Sequence, residues 1–436
     1  MSQAAEQGYL EQLLRGQASL PASPRVWLNG LRADALERAN ALAVPSTRDE
    51  DWRFTDLSPL YRTVLPPAAR RDAVEPGLLV DFALTEAGPR LVFVDGHYVP
   101  ALSDPLIDAG VTVSGLAEAL EQGQDGAVPE HLGRYADFHA DAFAAVNTAW
   151  LHDAAVITLA RDRVLARPVH VLFVSTQPGV SSTPRVLMVA QTGSGCTLVE
   201  DYVALHEDAY LTNAVSEIAL GPSARLRHVR LQRESKAAYH IAACAVRLQR
   251  DAQFESVSVT LGGRISRYSL NVTHAGEGGE CRIDGLALID GRQLADTHST
   301  LDHTRPDGRS RQLHKCIVGG AAHAVFNGKI FVREGAQRTD SSQHSRNLLL
   351  TDKAHVDTKP QLEIFADDVK CAHGATVGQL DADQVFYLKS RGLSEGAARD
   401  LLTFAFAAEV VERIPVPSLA RRLEQTVVHQ TKGKQT

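Results

Sequence analysis

Cys196-Thr-Leu198, Ala224-Arg-Leu226, Ala252-Gln-Phe254 and Cys281-Arg-Ile283 each set a small residue, a variable one and an apolar one in a row, at steps of 28, 28 and 29 residues. Looser echoes follow at Ala322 and Ala354, as if loops had been inserted between them. A period of this length marks stacked units, none of which can bury its apolar face alone. The runs between are short and β-branched: Val156-Ile-Thr-Leu, Val169-His-Val-Leu-Phe-Val174, Arg185-Val-Leu-Met-Val189, Ala214-Val-Ser-Glu-Ile218 and Phe254-Glu-Ser-Val-Ser-Val-Thr260. Helical 3.6-residue spacing is absent from residue 154 to 367, so the period belongs to strands. A parallel β-helix satisfies both facts, with the small residues stacked where each coil bends. A β-sandwich, whose strands also recur with turns, is the alternative that the spacing leaves open.

The two flanks read differently. Residues 1–150 are mixed and mainly helical. Residues 33–43 carry helical spacing, and residues 135–150 set Phe138, Ala142, Phe143 and Val146 on one face. Leu91-Val-Phe-Val-Asp-Gly-His-Tyr-Val99 reads as two short strands around an Asp-Gly turn. Beyond residue 380, helical spacing returns: Ser394 is a candidate N-cap for an amphipathic helix running to Ile414, Pro415 and Pro417 end it, and a second helix starts near Ser418. The expected division is 1–150, an N-terminal helical/αβ domain; 151–370, the β-helix core; and 371–436, a C-terminal helical domain.

Composition narrows the function. The 436 residues are 44% hydrophobic and 22% charged, ordinary values for a globular protein. Net charge is −7 with no basic run, which argues against nucleic acid as a partner. No apolar stretch approaches the ~20 residues of a membrane span, and the first twenty residues lack the apolar centre of a secretory signal. The five cysteines, Cys196, Cys244, Cys281, Cys316 and Cys371, are odd in number and contain no CxxC pair. A reducing cytoplasm fits them better than a disulfide framework.

Phosphate-loop candidates fail. Gly193-Ser-Gly195 lacks the third glycine of a dinucleotide fingerprint, and Gly328-Lys329 is followed by Ile330 where a P-loop needs Ser or Thr. The chain is therefore expected not to hydrolyse ATP. Cys196, Cys244 and Cys281 sit among small apolar neighbours and read as core residues; Cys316, after His314-Lys315, reads the same way with a cationic neighbourhood. The late histidines His298, His303, His314, His323, His344 and His355 show no HxH or HxxxH pair and read as hydrogen-bonded structural residues. His373 stands apart. It follows Cys371 by two, and residues two apart on a strand share a face. A thiolate beside an imidazole suits iron, zinc or copper, provided other ligands come from elsewhere.

The stretch from Gly328 to Gly392, with Ala354-His-Val-Asp-Thr-Lys-Pro360-Gln-Leu-Glu-Ile364, Asp367-Asp-Val-Lys-Cys371-Ala-His-Gly-Ala, Phe386-Tyr387-Leu388 and Ser390-Arg391-Gly392, closely resembles the SufB/SufD family of iron–sulfur cluster assembly scaffolds. Pro45-Ser-Thr-Arg48-Asp-Glu-Asp-Trp52-Arg-Phe-Thr-Asp-Leu57 resembles that family's N-terminal signature. Read from the residues alone, Trp52 and Phe54 with Arg48 and Arg53 are a packed linker or a docking surface, the linker being favoured.

The resemblance implies a mainly β fold, with a central right-handed parallel β-helix between helical ends. It implies a SufD-like, non-enzymatic subunit that pairs with SufB and binds the SufC ATPase, with sulfur arriving from a cysteine desulfurase system. It assigns His373 to the SufB interface, where the nascent iron–sulfur cluster is cargo, and leaves the role of Cys371 and any reduced flavin in the complex open. SufB-like sequences carry Cys-Glu-His-Glu at this place; Ala372 and Gly374 replace both glutamates here, which favours a SufD-like chain. The alternatives are a SufB-like or homodimeric scaffold and a β-helical carbohydrate-active enzyme.

Overall fold

Thirteen strands from Gly195 to Gly378 alternate between two sheets, so that each coil of chain lays one strand in each. The computed structural model describes residues 3–71, 74–86, 88–121 and 126–432. One sheet has ten strands and the other eleven, and within each the successive coils pair in parallel register. The result is a β-solenoid of about eight turns. The alternation of side chains along each strand sends one row into the lumen between the sheets and one row outward. Leu198, Leu226, Phe254, Leu270, Ile283, Leu301 and Ile330 fill the lumen.

The small-residue repeat is real, but two of its members are misplaced by two residues. The backbone bonds run Arg225 N to Ser194 O, Gln253 N to Ala224 O, Glu280 N to Ala252 O, Arg309 N to Gly279 O and Asp340 N to Gly308 O. The stacked small residues at the bend are thus Ser194, Ala224, Ala252, Gly279, Gly308 and Thr339. Cys196 and Cys281 instead share a lumen column with Leu226, Phe254, Ser310, Ser341 and Cys371. The preceding column explains the need for small side chains. Gly193, Ser223, Asp251, Gly278, Asp307 and Arg338 all have positive φ, a left-handed corner repeated coil after coil. At Gly278 a Cβ would lie 2.5 Å from Asp251 Oδ1 of the coil beneath.

Helices cover the outer faces. The helix Ala142–Ala149 is buried along its whole length, opened by Asp141, whose carboxylate accepts from Phe143 N and Ala144 N. It is shorter than the expected 135–150; residues 135–141 are turns. It packs with Val26–Ala41 on outward residues Leu211, Val215, Tyr239 and Ile241. Glu217 locks the junction: its buried carboxylate pairs with Arg185 at 2.5 Å and accepts from Gly133 N, Tyr135 N and Ala136 N. The Asp95-Gly96 turn forms as read, with φ of 50° and 88°, joining antiparallel Arg90–Val94 to His97–Tyr98. The opposite sheet is covered by Glu395–Val411 and Pro417–Lys432, which lay Ala407, Val410, Val411, Leu419 and Leu423 on Val229, Val257, Leu286 and Ile317. Ser394 caps the first of these by accepting from Ala397 N. These helices lie along a face of the solenoid, not across its end.

The segment around Trp52 is a packed one. Arg267 lies 4.1 Å over the Trp52 ring, Thr55 donates to buried Asp296 at 2.5 Å, and Asp51 and Glu50 pair with Lys329 and Lys359. Burial pushes the Asp296 carboxyl up, but Arg267 and His298 outweigh it and hold it well below the usual range. Among the described residues no helix is long and apolar enough to cross a membrane.

Candidate functional site at the open end of the solenoid

His355–Ile364 is the last strand of one sheet and Lys370–Gly378 the last of the other. Among the described residues, each is hydrogen-bonded along one side only. The helix that follows, Ala382–Ser390, buries none of its residues, so it does not seal the lumen as a cap would. The rim therefore consists of two rows that face inward in every earlier coil: Val356, Thr358, Pro360, Leu362 and Ile364 on one strand, Cys371, His373, Ala375 and Val377 on the other. Pro360, which cannot donate to a ladder, is tolerated because its strand is an edge. Phe365 is 58% exposed and Val377 49%.

Cys371 and His373 lie within the last strand, beyond the expected end of the β-helix core at residue 370. Cys371 stands over buried Ser341 and is half-buried against the lumen core; His373 stands over buried Gln343 and is exposed. The two side chains thus share one face. Burial pushes the Cys371 thiol up, against a hydrogen bond from the Ser341 backbone that pulls it down. Such a thiol stays protonated until a metal or a base takes the proton.

Beneath the rim the lumen is polar, as it is in the early coils around Glu200, His228 and Arg230. Ser310 and Ser341 hydroxyls meet at 2.5 Å, Gln343 Nε2 donates to Gln312 Oε1 at 2.8 Å, and Gln312 exchanges bonds with Ser299. Gln343 Oε1, in the row directly under His373, takes no hydrogen bond from the described residues.

The other cysteines are core residues. Cys196, Cys281 and Cys316 are buried, and burial pushes each thiol up to about 12; Cys244 is pushed higher still. His274 and His303 stack at 4.1 Å inside the lumen, and His314 stacks on Phe326 at 4.7 Å. Asp302 and His303, adjacent in sequence, point to opposite faces, Asp302 outward to Arg333 and His303 inward to Ser310. One grouping was missed. His323, His355 and Asp357 converge on the outer face of the last two strands of their sheet. Its signal was the separation of His323 from His355 by 32 residues, about one late coil.

A cavity of about 390 Å³, lined by His97, Trp150, His152 and Asp153 among others, lies between the N-terminal helices and the first coils, at the other end of the solenoid. It is remote from Cys371 and His373. On the C-terminal helices, Phe386, Tyr387 and Leu401 remain exposed. Only part of the apolar surface of Glu395–Val411 is spent on the sheet.

Two family descriptions match almost the whole chain: the SufBD core domain of the SUF system for FeS cluster assembly over residues 173–406, and the SufBD protein N-terminal region over residues 3–171. An iron–sulfur cluster assembly SufBD family protein of Synechocystis is 38% identical over 428 residues, covering 95% of this chain and 94% of its own. The iron–sulfur cluster assembly protein SufD of Escherichia coli is 34% identical, covering 87% of each chain. A chloroplastic protein of Arabidopsis thaliana, ABCI7, is 32% identical over 91% of this chain and 85% of its own. With its solenoid and both flanks matched, the chain belongs to the SufBD family of iron–sulfur cluster assembly scaffolds.

Proposed function

We propose that this chain is the SufD-type half of a two-solenoid scaffold. Its open end pairs with a SufB-type subunit, and its C-terminal helices dock a SufC-type ATPase. One observation carries the reading: a solenoid end left uncapped, with Cys371 and His373 on its lumen-side rim. Two open strand edges and a partly apolar rim are costly to leave in water and are suited to strand-edge or end-to-end pairing. His373 then offers an imidazole to iron in the nascent cluster, while the partner brings the remaining ligands. Cys371, half-buried and protonated until metal arrives, is the secondary donor. The exposed Phe386, Tyr387 and Leu401 form the apolar part of the ATPase contact. The chain contributes no catalytic residue of its own.

The test is co-expression with the SufB-type and SufC-type proteins of the same source, comparing the parent with His373→Ala. The complex yield stays near the parent's, because one imidazole is a small part of an interface of ~1,600 Å². Cluster absorbance and iron content fall strongly. Normal cluster content in His373→Ala removes the residue from assembly. A chain that assembles cluster as a homodimer without a SufB-type partner overturns the SufD-type assignment.

A further inference from the structure

The outer face of the last coils carries a second donor set, separate from the rim. His323 and His355 are directly paired across neighbouring strands, and Asp357 follows His355 by two on the same face. Nε2 of His323 lies 2.7 Å from Asp357 Oδ2, and Nε2 of His355 lies 3.3 Å from the same oxygen. The three donor atoms all lie within 4.8 Å of one another. Two lysines on that face are engaged elsewhere: Lys359 pairs with Glu50 and Lys329 with Asp51. We propose that His323, His355 and Asp357 form a site for a divalent first-row transition metal, Zn²⁺ or Fe²⁺, that staples the edge strand of the solenoid to its neighbour.

The chemistry of the set supports this class of ligand. Two imidazoles and one carboxylate, with one side open to water, match three-ligand zinc sites and two-histidine, one-carboxylate iron sites. Metal–ligand bonds of about 2.0–2.2 Å put tetrahedral donor atoms roughly 3.3–3.5 Å apart. The His355–Asp357 separation already has that value; the His323–Asp357 pair needs to open by only about 0.6 Å to reach it. Both imidazole Nε2 atoms converge on one carboxylate oxygen, yet only the His323 contact is a hydrogen bond. A cation uses the same convergence through the nitrogen lone pairs, once each ring carries its proton on Nδ1. Location gives the site a purpose. His355–Ile364 has a partner strand on one side only. A metal joining its first residues to His323 fixes that strand without touching its lumen row.

The experiment uses the full-length chain, free of any affinity tag and stripped with chelator, titrated with Zn²⁺ by calorimetry and, anaerobically, with Fe²⁺. A Cys371→Ser/His373→Ala background isolates the outer site from the rim. In that background one equivalent of metal binds and the melting temperature rises. His323→Gln/His355→Gln weakens binding by roughly tenfold or more and abolishes the thermal shift; loss of an outer-shell partner alone costs that much in known sites. Asp357→Asn is the second variant and gives the same loss with both histidines in place. Binding of Zn²⁺ but not Fe²⁺, or the reverse, identifies the metal. Unchanged affinity and unchanged thermal shift in both variants, or no binding by the parent background, overturns the proposal.

Discussion

The coils between Gly195 and Ile289 and the coil that ends at Gly378 have the same backbone and opposite destinies. In the early coils every strand has a neighbour on both sides, the lumen holds Leu198, Leu226, Phe254 and Ile283, and helices cover both outer faces. In the last coil the equivalent positions are Cys371 and His373, one edge of each strand is unpaired, and the following helix buries nothing. One repeat thus serves first as architecture and then as a surface. Polar side chains are not peculiar to the end: Glu200, His228, Arg230 and Ser256 are buried in the early lumen, as Ser310, Gln312, Ser341 and Gln343 are under the rim. A solenoid that stops at an uncapped, partly apolar rim lacks the polar closing repeat that keeps a free-standing solenoid soluble.

Paired truncations in the two regions give the sharpest way to break this comparison. Phe254 is fully buried in the lumen, and Phe254→Ala costs about 3–5 kcal/mol through lost burial and the cavity left behind. Phe365, 58% exposed beside the rim, changes the isolated chain by about 0.5 kcal/mol or less when cut to Ala. Urea unfolding of both variants measures the ratio. Equal losses would mean that the end coil is packed as tightly as the middle, and the contrast would fail.

Acid tests the closed lumen in the intact chain. Burial lowers the pKa of the lumen imidazoles: His303 and His314 fall to about 4, and His274, beside His303, falls well below its ordinary value. For a histidine with a depressed folded value, the unfolded chain takes up the proton first as pH falls. Stability is then complete above about pH 6.5 and declines toward pH 4, by about 1.4 kcal/mol per pH unit for each such group. The melting temperature accordingly drops between pH 7 and pH 5, and His314→Met removes one contribution and flattens the slope. A flat profile over that range would mean that the closed lumen opens to water and protonates without cost.

The sequence made the early coils legible because burial leaves a pattern. Phe254 and Leu226 recur at apolar positions, and Ala224 and Ala252 mark the bends. The register slipped by two at Cys196 and Cys281 because cysteine is both small and apolar, and fits a bend or a lumen position equally well. The last strand was legible only in part. Cys371-Ala-His-Gly-Ala-Thr-Val-Gly378 has no strong alternation, since a strand at an open end has no fully buried face to encode. The same-face relation of Cys371 and His373 needed only the two-residue strand period and was read correctly. The outer His323–His355–Asp357 set needed cross-strand register, which no local period contains. The C-terminal helices were legible in their caps and spacing; that they lie along a sheet depends on outward residues such as Val229 and Ile317, which look like any other strand residues.

The smallest expected effect on the isolated chain is also the most informative about the rim. Val377 sits in the lumen row of the last strand, 49% exposed, in register with Asn347. Lysine at that position has room to reach water, so Val377→Lys changes unfolding free energy by about 0.5 kcal/mol or less. Lysine on an exposed edge is also a device by which natural sheets prevent pairing with another chain. If the rim is where the second solenoid joins, the substitution lowers co-purification with the SufB-type subunit, and cluster yield falls with it. His373→Ala lowers cluster yield alone. The two variants therefore separate the surface that holds the partner from the side chain that meets the iron. A Val377→Lys chain that unfolds as easily as Phe254→Ala would place this residue in the core. One that retains full partner binding would move the junction away from the open end.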